Sequence, residues 1–140
     1  MKQLTVFIEN RIGRLEQVTE ILSQNGINIV CLSLSDTGEY GMLRMIVSQP
    51  AQAVEVLGDA GFSAMLTDVT AIKLVHHFGM LNKLSKLLSD NGIDIKYMYA
   101  LNSGADAAVV IKTSDDAKSE QLLLEAGQFS VLSASEVYNM

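Results

Sequence analysis

One stretch of this chain occurs twice. Residues 13–29, GRLEQVTEILSQNGINI, reappear as residues 79–95, GMLNKLSKLLSDNGIDI, with G-x-L, LS and NGI-x-I at matching places. The same offset carries Gly38 onto Gly104, Ser48 onto Ser114, Leu57 onto Leu123, Ala60-Gly61 onto Ala126-Gly127 and Leu66 onto Leu132, with no gap needed. Matches that concentrate at glycines and apolar positions mark shared turns and a shared core, so both halves must take one fold. A chain of 140 residues written this way holds two small domains, here bounded as residues 1–68 and 69–140.

Within each half the hydrophobic period changes in a fixed order. LTVFI (4–8) is a short apolar run rich in β-branched residues and reads as a strand. From Gly13 onward Leu15, Val18, Ile21 and Leu22 recur at helical spacing, as Leu81, Leu84, Leu87 and Leu88 do in the second half. Asn25-Gly26 and Asn91-Gly92 then stop the helices, because glycine reaches the left-handed conformation that turns the chain out of a helix. INIVCLSLS (27–35) follows as a strand, DTGEYG as a hairpin turn and MLRMIVS (42–48) as the returning strand. Pro50 opens a second helix that ends at Gly61, and FSAMLT (62–67) closes the unit as a strand. The order βαββαβ is that of a ferredoxin-like α+β unit, four antiparallel strands with both helices on one face. The second half repeats it from about Thr70.

Units this small bury little surface and are expected to need each other. Strand 42–48 is apolar on both phases, Leu43, Met45 and Val47 on one and Met42 and Ile46 on the other. Helices cover only one face, so the second is expected to meet another sheet or a neighbouring unit. Almost no linker separates the halves at Thr67-Asp68. A rigid tandem that further dimerises is the expectation.

Charge and composition exclude several functions. The net charge of -6 and the absence of a Lys/Arg cluster argue against nucleic acid. MKQLTVFIEN lacks the apolar centre of a secretory signal, and no run nears the ~20 apolar residues a membrane span requires. A soluble, cytoplasmic protein with no membrane partner is expected. The single cysteine, Cys31, lies in an apolar run and reads as a small core residue in a reducing compartment.

A strand ending in N-R-x-G-x-L, then a helix, then NGINI leading into a strand with S-x-S-D, resembles the ACT domain, a small-molecule sensing module of amino-acid metabolism. The resemblance spans the whole chain as two ACT-like copies. The second departs from the pattern, reading VHHFGML where the family has Asn or Asp two or three places before the glycine. The resemblance implies a regulatory binding module with no catalytic residues and no cofactor, whose units pair side by side through edge strands. It also implies a free amino acid held at the junction of two units, between the first loop of one and the second strand of its neighbour. Carried onto this chain, the ligand-binding set is Asn10, Arg11, Ile12, Gly13, Arg14 and Leu15 in the first loop, and His77, Phe78, Gly79 and Met80 in the second. Cys31, Leu32, Ser33, Met98 and Tyr99 are the facing strand positions. A homodimer is implied, and an amino-acid biosynthetic enzyme is the partner to expect.

The residues themselves support part of this. Helix-start N–H groups have no intrahelical partner and attract negative charge, so Gly13 opens a place where an α-carboxylate can meet backbone donors. The ammonium then needs carbonyls or a carboxamide oxygen such as that of Asn10. Gly13 can equally be a tight, closely packed turn, and arginines beside a helix start are commonly solvated. His76 and His77 are adjacent, so on an extended segment they face opposite ways and cannot share one metal, and Cys31 adds too few ligands for a zinc site. Tyr97 and Tyr99 flank Met98 as Cys31 and Ser33 flank Leu32, and one phase of each strand is expected to wall an interface pocket. No P-loop, dinucleotide fingerprint or nucleophile set is present, and no acidic pair is spaced for acid–base work. Two other readings remain: a structural partner that docks an enzyme and holds no ligand, and a small enzyme on a ferredoxin-like scaffold.

Overall fold

A computed structural model describes all residues except 76, 77, 104 and 105. The chain divides into two compact units, Lys2–Thr67 and, for the most part, Asp68–Tyr138. In the first, β1 (Lys2–Glu9), α1 (Arg14–Gln24), β2 (Ile29–Asp36), β3 (Tyr40–Val47), α2 (Pro50–Asp59) and β4 (Ser63–Asp68) follow in the βαββαβ order. The second repeats it with β5 (Thr70–Leu74), α3 (Met80–Asp90), β6 (Ile95–Ser103), β7 (Asp106–Thr113), α4 (Asp116–Ala126) and β8 (Ser130–Leu132). A short α5 (Ala134–Tyr138), which the periodicity did not signal, follows β8. The sheets have four strands each, ordered β2-β3-β1-β4 and β6-β7-β5-β8.

Pairing is antiparallel and sets the core. Leu4 lies opposite Met45 and Val6 opposite Leu43, and these four side chains pack with Val18 and Leu22 of α1 and Ala53 and Leu57 of α2. In the second unit Ile72, Leu74 and Ile111 pack with Met80, Leu84 and Leu88 of α3 and Leu123 of α4. Helices of ten or eleven residues are marginal alone, so burial of these stripes is what holds them. On the phase facing away from the helices Gln3, Thr5 and Ile46 are buried too.

The repeat is visible down to single hydrogen bonds. Asn25 Nδ2 donates to the Ile21 carbonyl at 2.8 Å and Asn91 Nδ2 to that of Leu87 at 2.8 Å, while the Ile27 and Ile93 amides reach the Leu22 and Leu88 carbonyls at 2.9 Å. These bonds satisfy the last carbonyls of α1 and α3, as a left-handed glycine termination requires. The matching serines are explained the same way: Ser48 Oγ accepts from the Asn28 amide and Ser114 Oγ from the Asp94 amide, both at 3.0 Å. Each second strand also carries an irregularity at one place, between Ile29 and Cys31 and between Ile95 and Tyr97.

The gap-free alignment fails near the end. Phe62 and Phe129 are both buried, and Ala64 and Val131 both pack toward the helices, so the offset there is one residue longer. Leu66 packs on its core while Leu132 pairs with Ala71 on the other phase. Their identity in sequence is therefore not a structural equivalence, because one inserted residue turns a strand over.

Candidate functional site

The loop between β1 and α1 is built on backbone geometry. Gly13 sits at φ 89°, and the helix that follows has no side-chain cap; Gly79 repeats this at φ 82° ahead of α3. Among the described residues, chain neighbours aside, no heavy atom lies within 4 Å of where a Cβ on Gly13 or Gly79 would stand. Glycine is thus required by its dihedral angle, not by crowding. By contrast α4 is capped, with the Asp115 carboxylate accepting from the Lys118 amide at 3.0 Å.

The side chains of the loop divide by task. Asn10, at the end of β1, donates from Nδ2 to Asp36 Oδ1 at 2.7 Å and to the Gly38 carbonyl at 2.5 Å, and its own amide reaches the Glu39 carbonyl at 3.2 Å. Asp36 Oδ1 also accepts from the Gly38 amide at 2.7 Å. That amide, and then the Asn10 carboxamide, hold the Asp36 carboxyl below its ordinary range. Arg11 turns back to Glu9, Nε to Oε2 at 2.8 Å, with both side chains mostly exposed. Ile12 is fully exposed. Arg14 lies over the Phe62 ring, its guanidinium carbon 4.3 Å from the centroid, and donates from Nη1 to Gln17 Oε1 at 2.8 Å. Its Nε is enclosed with no partner among the described residues. Leu15 packs against the core.

In the second loop His77, like His76, lies outside the described residues. Phe78 is fully exposed, matching Ile12, whereas Met80 is buried with Leu84 and Leu88 and is a core residue.

The strand positions divide between the two faces of their sheets. Leu32 pairs with Met45, so it lies on the helix-bearing face, yet it is 46% exposed at the edge. Cys31 and Ser33 pair with Ile46 and Arg44 and lie on the opposite face. Burial pushes the Cys31 thiol above its ordinary value, against a smaller opposing effect of the Ile46 backbone. Met98 and Tyr99 split likewise, Met98 opposite Ile111 and Tyr99 opposite Val110. Sequence reasoning missed Asp36, Gly38 and Phe62. Asp36 stood in the S-x-S-D pattern, but its bond to Asn10 spans 26 residues, and strand pairing alone brings the two together. Among the described residues no group of three or more His, Cys, Asp or Glu is placed to hold a metal, and no helix is long and apolar enough to cross a membrane.

Tandem βαββαβ units with glycine-led, uncapped first helices define an α+β protein of the ferredoxin-like class. The chain belongs to the ACT domain pair family, whose profile matches residues 1–138. It is similar to the solved protein BT0572 from Bacteroides thetaiotaomicron, with 38% identity, a TM-score of 0.93, and coverage of 99% of this chain and 96% of that one. The regulatory subunit of aspartate kinase from Thermus thermophilus, in a ligand-free form, shares the fold at 15% identity and a TM-score of 0.63, covering 89% of this chain and 91% of that one. The corresponding subunit from Thermus flavus does so at 16% identity and a TM-score of 0.60, covering 90% and 92%. A search of the curated proteins found no match. The family match indicates no catalytic family.

Proposed function

We propose that the protein is a non-catalytic sensor that binds a free amino acid at a junction of ACT units and regulates an amino-acid biosynthetic enzyme. The observation that carries this reading is the start of α1, which lacks a side-chain cap and follows a left-handed Gly13. Arg14 N–H turns to the Arg11 carbonyl at 3.4 Å, and further first-turn N–H groups without a side-chain cap suit a carboxylate, to which the dipole adds attraction. The shared fold with aspartate kinase regulatory subunits is in keeping with a regulatory role. The exposed β2 edge, with Leu32 and Leu34 each about half exposed, supports pairing with a second copy as the way a junction is completed.

Thermal shift against the twenty amino acids, each at millimolar concentration, tests the reading. Gly13→Asn and Gly79→Asn keep a residue that tolerates the left-handed conformation while filling the open space. Loss of the shift in one variant, with its own melting transition intact, assigns the ligand to that loop. Ile12 and Phe78, fully exposed at matching places, favour the second reading, a docking partner without a ligand. No shift with any amino acid, together with co-purification of an enzyme that Ile12→Ser and Phe78→Ser abolish, selects it.

A further inference from the structure

The Asn10 carboxamide is already engaged. Both of its described hydrogen bonds as a donor run to the β2–β3 hairpin, to Asp36 Oδ1 and to the Gly38 carbonyl, and its backbone amide adds a third tie to Glu39. The bond to Asp36 is charge-assisted, and Asp36 Oδ1 is fixed in turn by the Gly38 amide. Gly41 completes the junction: a Cβ there would stand 3.2 Å from Ile8 Cγ1, 3.3 Å from Leu34 Cδ1 and 3.3 Å from Asn10 Oδ1. The carboxamide oxygen is thus turned toward the backbone of β3, while the amide group holds the hairpin. Both ends of the carboxamide therefore face the hairpin.

We infer that Asn10 is a positioning residue, acting through Asp36 to fix the β1–α1 loop so that the α1 start is presented to the carboxylate of an amino acid, and not a group that binds the ammonium itself. This rests on the amino-acid reading above. It also makes the halves unequal, since the positions matching Asn10 and Asp36 in the second are His76 and Asn102, and that pair has no carboxylate. Only Arg11 and Ile12 separate Asn10 from Gly13, so a loop released from the hairpin loses the fixed approach on which preorganised backbone donors depend.

A carboxamide–carboxylate exchange separates positioning from direct contact by sign. Asn10→Asp sets two carboxylates against each other and is expected to weaken the loop. Asn10→Asp with Asp36→Asn restores an amide-to-carboxylate bond with the roles reversed. The probe is whichever of the twenty L-amino acids gives the largest thermal shift in the unmutated protein, with Kd measured calorimetrically. A positioning role requires about a tenfold loss for Asn10→Asp and recovery of part of it in the double variant, in which the bond to residue 36 returns and the one to the Gly38 carbonyl does not. If Asn10→Asp binds the same amino acid as well or better, whatever stands at 36, the residue contacts the ammonium and the inference is overturned. Amide hydrogen exchange over residues 9–15 and 36–41 is followed in parallel without ligand. Exchange there must quicken in Asn10→Asp and slow again in the double variant, while residues 78–84 stay unchanged. Unchanged exchange in Asn10→Asp overturns the tie itself. If no amino acid shifts the unmutated protein, the sensing reading falls and the positioning role with it, and the exchange data then report a purely structural tie.

Discussion

Arg14 was a candidate ligand contact, and the structure gives it other work. Its guanidinium stacks on Phe62 and bonds Gln17, contacts of the kind that add about 0.5–1 kcal/mol at a partly exposed site. Arg14→Gln is expected to lower stability by that amount in urea unfolding. Repeating it in a Phe62→Leu background should cost less, and the difference between the two measures the stacking energy. Two carboxyls give a pH dependence with a definite sign. Asp36 is held low by the Gly38 amide first and the Asn10 carboxamide second, and Glu136 by the Ser133 amide and then its hydroxyl. A folded pKa below the unfolded one contributes stability that is fully present above the unfolded value, about 4, and disappears as pH falls through the folded value. Acid titration of the melting temperature should therefore show a shallower fall between pH 5 and pH 2 in Glu136→Gln than in the parent. The oppositely signed result, a steeper fall, counts against the hydrogen-bonded carboxylate.

Apart from α2, which opens on Pro50 without a side-chain cap, the helix starts fall into two kinds. α1 and α3 begin at left-handed glycines with no side-chain cap, whereas α4 begins at Asp115 and α5 at the reciprocal pair of Ser133 and Glu136. Asp115→Ala is expected to cost about 1 kcal/mol, read from the urea midpoint. A cap engineered at Gly13 should instead compete with any carboxylate for the same donors. Strand and helix order was legible because each apolar stripe had its own period, as in LTVFI against Leu15, Val18 and Leu22. What escaped was short or long-range. α5 has five residues, too few to show a period, and only Val137 anchors it in the core. The tie between Asn10 and Asp36 depends on β1 and β2 flanking β3, a neighbourhood that no local pattern encodes. Cys31 and Ser33 share one face of β2 and Leu32 takes the other, as the alternation of a strand dictates.

For the molecule as a whole, binding energy is the quantity to follow. A ligand that binds only the folded chain stabilises it by about 2.7 kcal/mol at a hundredfold excess over Kd. For a chain this size that is a rise of several degrees in melting temperature, within easy reach of a fluorescence melt. The rise should grow with the logarithm of amino-acid concentration once the site is saturated. One detail of the duplication has a practical edge for anyone recombining the two halves. The additional residue between α4 and β8 means that a chimera cut by counting from the N-terminus inverts everything downstream: Thr67, which hydrogen-bonds Thr5 at 3.4 Å, would be driven toward the helices. A graft measured back from the seats of Phe62 and Phe129 keeps inside in and outside out, so the phenylalanines, not the residue count, are the true milestones of this chain.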